Sequence, residues 1–227
     1  MLTYDQNKRK PCFTNENVQT LYDARFLRLY DLQYKEGAHY YDVSRRRKED
    51  LIALDTDDEF KIMLPDAVTI GVVVRIKGGE PKLFLNYEYR YPVGQYLLSP
   101  IAGLIDPKDK DAKDPLITAA IREIYEESGL KVKEIDSIKV ISPCAFSSPG
   151  MTDESNAFLY ADINIEDENE ISHKGAEGSE LFGGYELVSV EEAKKLFSTG
   201  RDKYGNFFSL ATYMVLGCFI MENHHDQ

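Results

Sequence analysis

The hydrophobic pattern changes period along the chain. Across residues 24–62, short apolar and aromatic stretches (RFLRLYDLQY, AHYYDVSRR, DLIALD and EFKIM) alternate with charged positions. That alternation predicts several antiparallel strands. The group is too small to close a core alone and needs the rest of the chain, or a second subunit, to cover it. Residues 1–22 are polar and predict irregular backbone. Residues 67–76 (AVTIGVVVRI) are β-branched and almost continuously apolar, which predicts a strand buried on both faces. Gly78 and Gly79 supply a turn, and PKLFLNYEYRY reads as the return strand of a hairpin. Residues 95–102 read as another extended segment, ending at Gly103.

The pattern then becomes helical. Residues 104–113 (LIDPKDKDAK) predict a polar loop. Asp114 and Pro115 follow as a helix start, since Asp can cap free N–H groups and Pro loses no needed hydrogen bond at the first position. Ile117, Ile121 and Ile124 recur at helical spacing, and Gly129 offers a left-handed stop, so a helix is predicted over 115–128. Strands are predicted near 138–141 and 157–163, and an acidic, glycine-containing loop over 165–183. A last strand is predicted over 185–190, and helices over 190–197 and 207–222. The alternating order points to an α/β fold with a mixed β-sheet and helices packed on it.

Composition narrows the partners. The chain has 227 residues, enough for one large domain or one domain with an elaboration. Acidic residues outnumber basic ones 39 to 27, for a formal net charge of −12. This argues against a broad nucleic-acid surface, so an anionic substrate must be met by a metal ion or a few placed arginines. The apolar run at 213–221 is too short to span a bilayer, and the N-terminus lacks the apolar core of a secretory signal. The expectation is a cytoplasmic protein with no nucleic-acid or membrane partner. Cys12, Cys144 and Cys218 are too scattered for a disulfide framework or a zinc motif. His39, His173, His224 and His225 are not spaced for a metal and are expected at the surface.

The chemistry is concentrated in residues 122–130, REIYEESGL. Glu123 and Glu127 are four apart and share a helix face, with Glu126 beside them. Three carboxylates within little more than one turn repel one another unless something positive sits among them, and a hard cation such as magnesium would fit. The plainer reading is a solvated acidic face with Arg122 paired to Glu126. The surroundings favour the metal, because the helix follows a glycine turn and a buried strand pair.

Here the sequence resembles the Nudix hydrolases. Residues 122–130 match the second half of that family's signature at every specified position. Asp114 stands where the family has Glu, and Gly103 matches the signature glycine, with a five-residue insertion within 104–113. The resemblance implies a Nudix α/β/α sandwich and a magnesium site, with manganese possible. It implies hydrolysis of a nucleoside diphosphate linked to another group. Glu123 and Glu127 become the main metal ligands, with Glu126 and the backbone carbonyl of Ala102 assisting. Arg122 belongs to the catalytic set by holding a glutamate in place.

YEYRYPVG before the signature and SSPGMTDES after it resemble the ADP-ribose pyrophosphatase branch. On that resemblance Arg90 contacts substrate, and Glu154, or Glu126, takes a proton from water. The expected reaction is ADP-ribose to AMP and ribose 5-phosphate. Ser99 replaces the branch's glutamate, which keeps nucleotide sugars and other dinucleotides as alternatives. A non-catalytic ADP-ribose sensor is a third reading. The branch also implies a homodimer formed through an N-terminal β region, residues 1–62, beside a Nudix domain of residues 63–227. Tyr40 and Tyr41 are candidates to stack on adenine.

Overall fold

The computed structural model describes residues 10–133, 137–173 and 180–223. His224, His225 and part of the expected acidic loop lie outside these residues. The chain divides into two compact units: residues 1–64 with 146–155, and residues 65–145 with 156–227.

The first unit is built on an antiparallel sheet in the order β1 (Val18–Asp23), β2 (Arg28–Lys35) and β3 (Ala38–Ser44). Its first strand begins inside the stretch expected to be irregular. Val18 supplies the reason, since it is buried in a small core with Tyr30, Leu32 and Leu51. DLIALD and EFKIM, expected as strands, instead form 3-10 turns at Lys48–Asp50 and Ile52–Leu54 and a short helix, α1 (Asp57–Ile62). Local chemistry overrides the alternation there. Thr56 caps the Glu59 N–H, the Glu59 carboxylate accepts from the Thr56 N–H, and acidic residues fill the first turn. Residues 146–155 join this sheet through a Val43 N–H bond to the Met151 carbonyl and a Tyr40 hydroxyl bond to the Gly150 carbonyl.

The second unit contains a seven-stranded mixed sheet. Its main path runs β10 (Phe182–Val188), β5 (Lys82–Arg90), β4 (Ala67–Ile76), β9 (Ser155–Ile165) and β8 (Ile138–Phe146). β4 lies at its centre, parallel to β9 and antiparallel to β5. Its first eight residues are all buried, as an apolar run covered on both faces requires. The segment expected to run unbroken over 95–102 is two strands, β6 (Gln95–Ser99) on β5 and β7 (Ile101–Leu104) on β4. Pro100, which has no N–H to give a ladder, marks the switch between them.

Residues 104–113 are not wholly a loop. They contain a helical turn, α2 (Pro107–Lys110), in which the Asp106 N–H donates to Asp109 Oδ2. The following helix, α3 (Pro115–Ser128), has the predicted bounds and packs on β4 and β7. The Asp114 carboxylate accepts from the Ile117 N–H, and Gly129 closes the helix at φ 70°. Of the three isoleucines only Ile124 is fully buried, and Ala119 and Ala120 fill the rest of the interface. α4 (Val190–Thr199) and α5 (Leu210–Glu222) form a second helical layer over Val73, Leu83, Leu85 and Leu98.

Candidate active site

The site grows from the last two turns of α3. Its spacing turns Glu123 and Glu127 inward, and their exposures of 5% and 2% exclude a solvated acidic face for these two. Glu126 is half-buried beside them. Arg122 ties the cluster together. Its Nη1 donates to Glu123 Oε1 at 2.7 Å and to Glu126 Oε2 at 2.9 Å. Its Nη2 donates to Asp109 Oδ2 and to the Leu104 carbonyl, both at 2.8 Å. The insertion before the helix thus has a structural use, because α2 presents the buried Asp109 as the back support of Arg122.

Glu127 is held from the sheet. Its Oε1 accepts from the Ala102 N–H at 3.0 Å, and its Oε2 accepts from Asn86 Nδ2 at 2.8 Å. Asn86 is fully buried, and His173 Nε2 lies 2.8 Å from its Oδ1. Glu88, two residues along the same strand, pairs with Arg90 at 2.6 Å. Ser99 is buried opposite Asn86 and donates to the Leu97 carbonyl.

Burial and mutual repulsion set the electrostatics. Burial pushes the Glu123 carboxyl up to about 7; Arg122 opposes the shift, while Glu126 and Glu180 add to it. Glu127 is raised well above the usual carboxylate range by burial, with the Ala102 N–H opposing and Glu88, Glu123 and Glu180 adding. Burial disfavours the charged form of Arg122, but Asp109, Glu123 and Glu126 outweigh it and hold the guanidinium charged. Among the described residues no three His, Cys, Asp or Glu side chains already converge as a cage. The donor set nonetheless fits a hard divalent cation. It offers only oxygen, and the penalty on ionising the two innermost carboxylates is one that a cation offsets.

The structure gathers Ala102, Arg122, Glu123, Glu126 and Glu127 into one cluster, with Arg90 held nearby by Glu88. Glu154 belongs to the first unit, where its Oε1 accepts from Arg45 Nε at 3.1 Å. Tyr41 is exposed on β3. Sequence reasoning missed Asn86, Glu88, Asp109 and His173. Alternate positions on one strand share a face, which groups Asn86 with Glu88 but does not say what they meet. Asp109 carries no sequence signal. His173, expected at the surface, instead stacks on Phe182 with ring centroids 4.9 Å apart.

Comparison with known proteins agrees with this geometry. No protein-family model matches the chain. An uncharacterized Nudix hydrolase of Schizosaccharomyces pombe is 28% identical over 151 residues, which cover 66% of this chain and 69% of that one. The ADP-ribose pyrophosphatase of Saccharomyces cerevisiae is 31% identical over 101 residues, 44% of this chain and 40% of the relative, so the match spans less than half of that protein. Among solved structures, an ADP compounds hydrolase superposes with a TM-score of 0.53 at 16% identity, covering 92% of this chain and 94% of the other, a likeness of fold. The signature helix, its buried carboxylates, the mixed sheet beneath them and these relatives together support membership of the Nudix hydrolase family.

Proposed function

We propose that this protein hydrolyses the pyrophosphate of a nucleoside diphosphate derivative, with ADP-ribose as substrate and AMP and ribose 5-phosphate as products. The buried pair Glu123 and Glu127, locked in place by Arg122, Asn86 and the Ala102 N–H, carries the reading. The choice of ADP-ribose is supported by the resemblance around Arg90 and Glu154 and by the pyrophosphatase relative.

Glu123, Glu127 and Glu126, with the Ala102 carbonyl, would hold magnesium, or manganese in its place. When bound, the cation offsets the charge of the diphosphate oxygens and of the transition state. The chain's own residues do the rest. Arg122 orients Glu123 and Glu126 without touching substrate. Arg90 leaves Glu88 to bind an anionic oxygen of the substrate. Glu154 takes a proton from the attacking water, with Glu126 as the second candidate. Water adds across the P–O–P linkage, and each product leaves with one phosphate.

Ser99 favours a second reading. A hydroxyl bonded to the Leu97 carbonyl stands where the ADP-ribose branch carries a glutamate, which fits a nucleotide sugar or another dinucleotide. A homodimer belongs to the main reading, supported by the exposed Leu21, Tyr22 and Tyr41 of the first unit's sheet. A cytoplasmic location belongs to it as well. No helix among the described residues is long and apolar enough to cross a membrane.

The test is turnover of a panel of nucleoside diphosphate derivatives, with magnesium and with chelator. Metal-dependent AMP release from ADP-ribose, well above the nucleotide sugars, is the expected result. Preference for another diphosphate would move the assignment to the second reading, and binding without turnover would make the protein a sensor. Glu127→Gln is expected to lower kcat about 100-fold or more, since a metal ligand supplies several kcal/mol of transition-state stabilisation. Its melting temperature should stay near that of the wild type.

A further inference from the structure

Glu127 is oriented by a hydrogen-bonded chain that reaches it from His173 through the side-chain amide of Asn86. Asn86 Nδ2–H donates a hydrogen bond to Glu127 Oε2, so Asn86 Oδ1 is left to accept. The group facing that oxygen at 2.8 Å is His173 Nε2. The direction of the chain therefore fixes the tautomer: Nε2 must carry the hydrogen. Burial lowers the His173 pKa and so disfavours the charged ring.

The imidazole is itself held firmly. Its face stacks on Phe182 at an interplanar angle of 12°, and its edge meets Tyr185. The preceding Ser172 N–H donates to the Ser128 carbonyl at 2.8 Å, pinning the backbone to the end of α3, and Ile171 is buried. The histidine is thus anchored to the helix that carries Glu127. Asn86, in turn, is fixed within the β5–β6 ladder opposite Ser99.

We propose that His173 and Asn86 are positioning residues: through the relay His173 Nε2–H to Asn86 to Glu127 they set the orientation in which Glu127 holds a divalent cation. This rests on the proposed function for the cation, while the relay itself is visible without it. Partners that orient a metal's ligands typically matter 10-fold to 100-fold in affinity or rate.

Two variants separate orientation from packing. His173→Phe keeps the stack on Phe182 and loses the donor. His173→Gln keeps a donor and loses the stack. Manganese binding is measured by calorimetry without substrate, alongside kcat, KM and melting temperature. His173→Phe should weaken manganese roughly 10-fold to 100-fold and lower kcat in step, with KM for ADP-ribose nearly unchanged. His173→Gln should recover most of both. Wild-type manganese affinity in His173→Phe, or equal damage in His173→Gln, would overturn the relay. A wild-type protein that binds no manganese would overturn the proposed function and the cation-holding role together. In the wild-type protein, long-range 15N–1H correlation reads the tautomer directly: an Nε2–H imidazole supports the relay, and an Nδ1–H imidazole refutes it whether or not either variant folds.

Discussion

A Cβ built on Gly103 would lie 1.9 Å from Glu123 Oε1, far inside any non-bonded contact. The glycine is therefore present for close approach, since its backbone is where the Glu123 carboxylate rests. Gly103→Ala is expected to displace Glu123 from Arg122, to cost about 1–3 kcal/mol of stability as overpacking does, and to reduce turnover more than 10-fold. Thermal melting and steady-state kinetics check the two parts. A stable, fully active variant would mean that the carboxylate has another resting place. The carboxylates on α3 were legible from sequence because one helix presents them by its own period. Asn86, Asp109 and His173 were not, because each meets the cluster across at least 13 positions of chain, through contacts no local pattern encodes.

α3 was readable end to end, from the Asp114 cap to the Gly129 stop, since both are set by local backbone chemistry. Gly129 does more than end the helix. A Cβ there would lie 2.6 Å from Ser172 Oγ, and the residue sits at φ 70°. Gly129→Ala is thus expected to cost about 1–2 kcal/mol from the left-handed backbone alone, and to push away the segment that carries His173. Urea unfolding reads the first effect, and loss of the Phe182 ring shift on the His173 resonances reads the second. The misread elements have separate causes, one local and one tertiary. Around α1 the Thr56–Glu59 capping box beats the strand-like alternation, and at α2 the short turn is held by the need to place Asp109 against Arg122.

At the scale of the whole molecule, pH should act on stability through the first unit as well as on the candidate site. Burial raises the Asp42 carboxyl from 3.8 to about 6, with Asp153 adding to the shift and its N–H and Arg46 opposing it. The folded chain then holds a proton that the unfolded chain has lost between about pH 4 and pH 6. Stability contributed here falls as pH rises through that window, and the penalty is full above it and absent below about pH 4. Asp42→Asn keeps an oxygen for the Asp153 N–H. It should raise stability above pH 6 by on the order of 1–2 kcal/mol and flatten the slope between pH 4 and 6. Melting curves across pH check this, and an unchanged slope would reject Asp42 as its source. By itself the sequence determined the carboxylate helix, its two ends, the doubly buried strand β4 and the α/β class, because period, caps and β-branching act over a few residues. Only the tertiary structure decided that residues 146–155, with Glu154, fold with the N-terminal sheet, and that Asn86, Asp109 and His173 converge on the acidic cluster. A hydrophobic pattern fixes which face a residue occupies, whereas the partner across that face is chosen by how distant strands and loops pack.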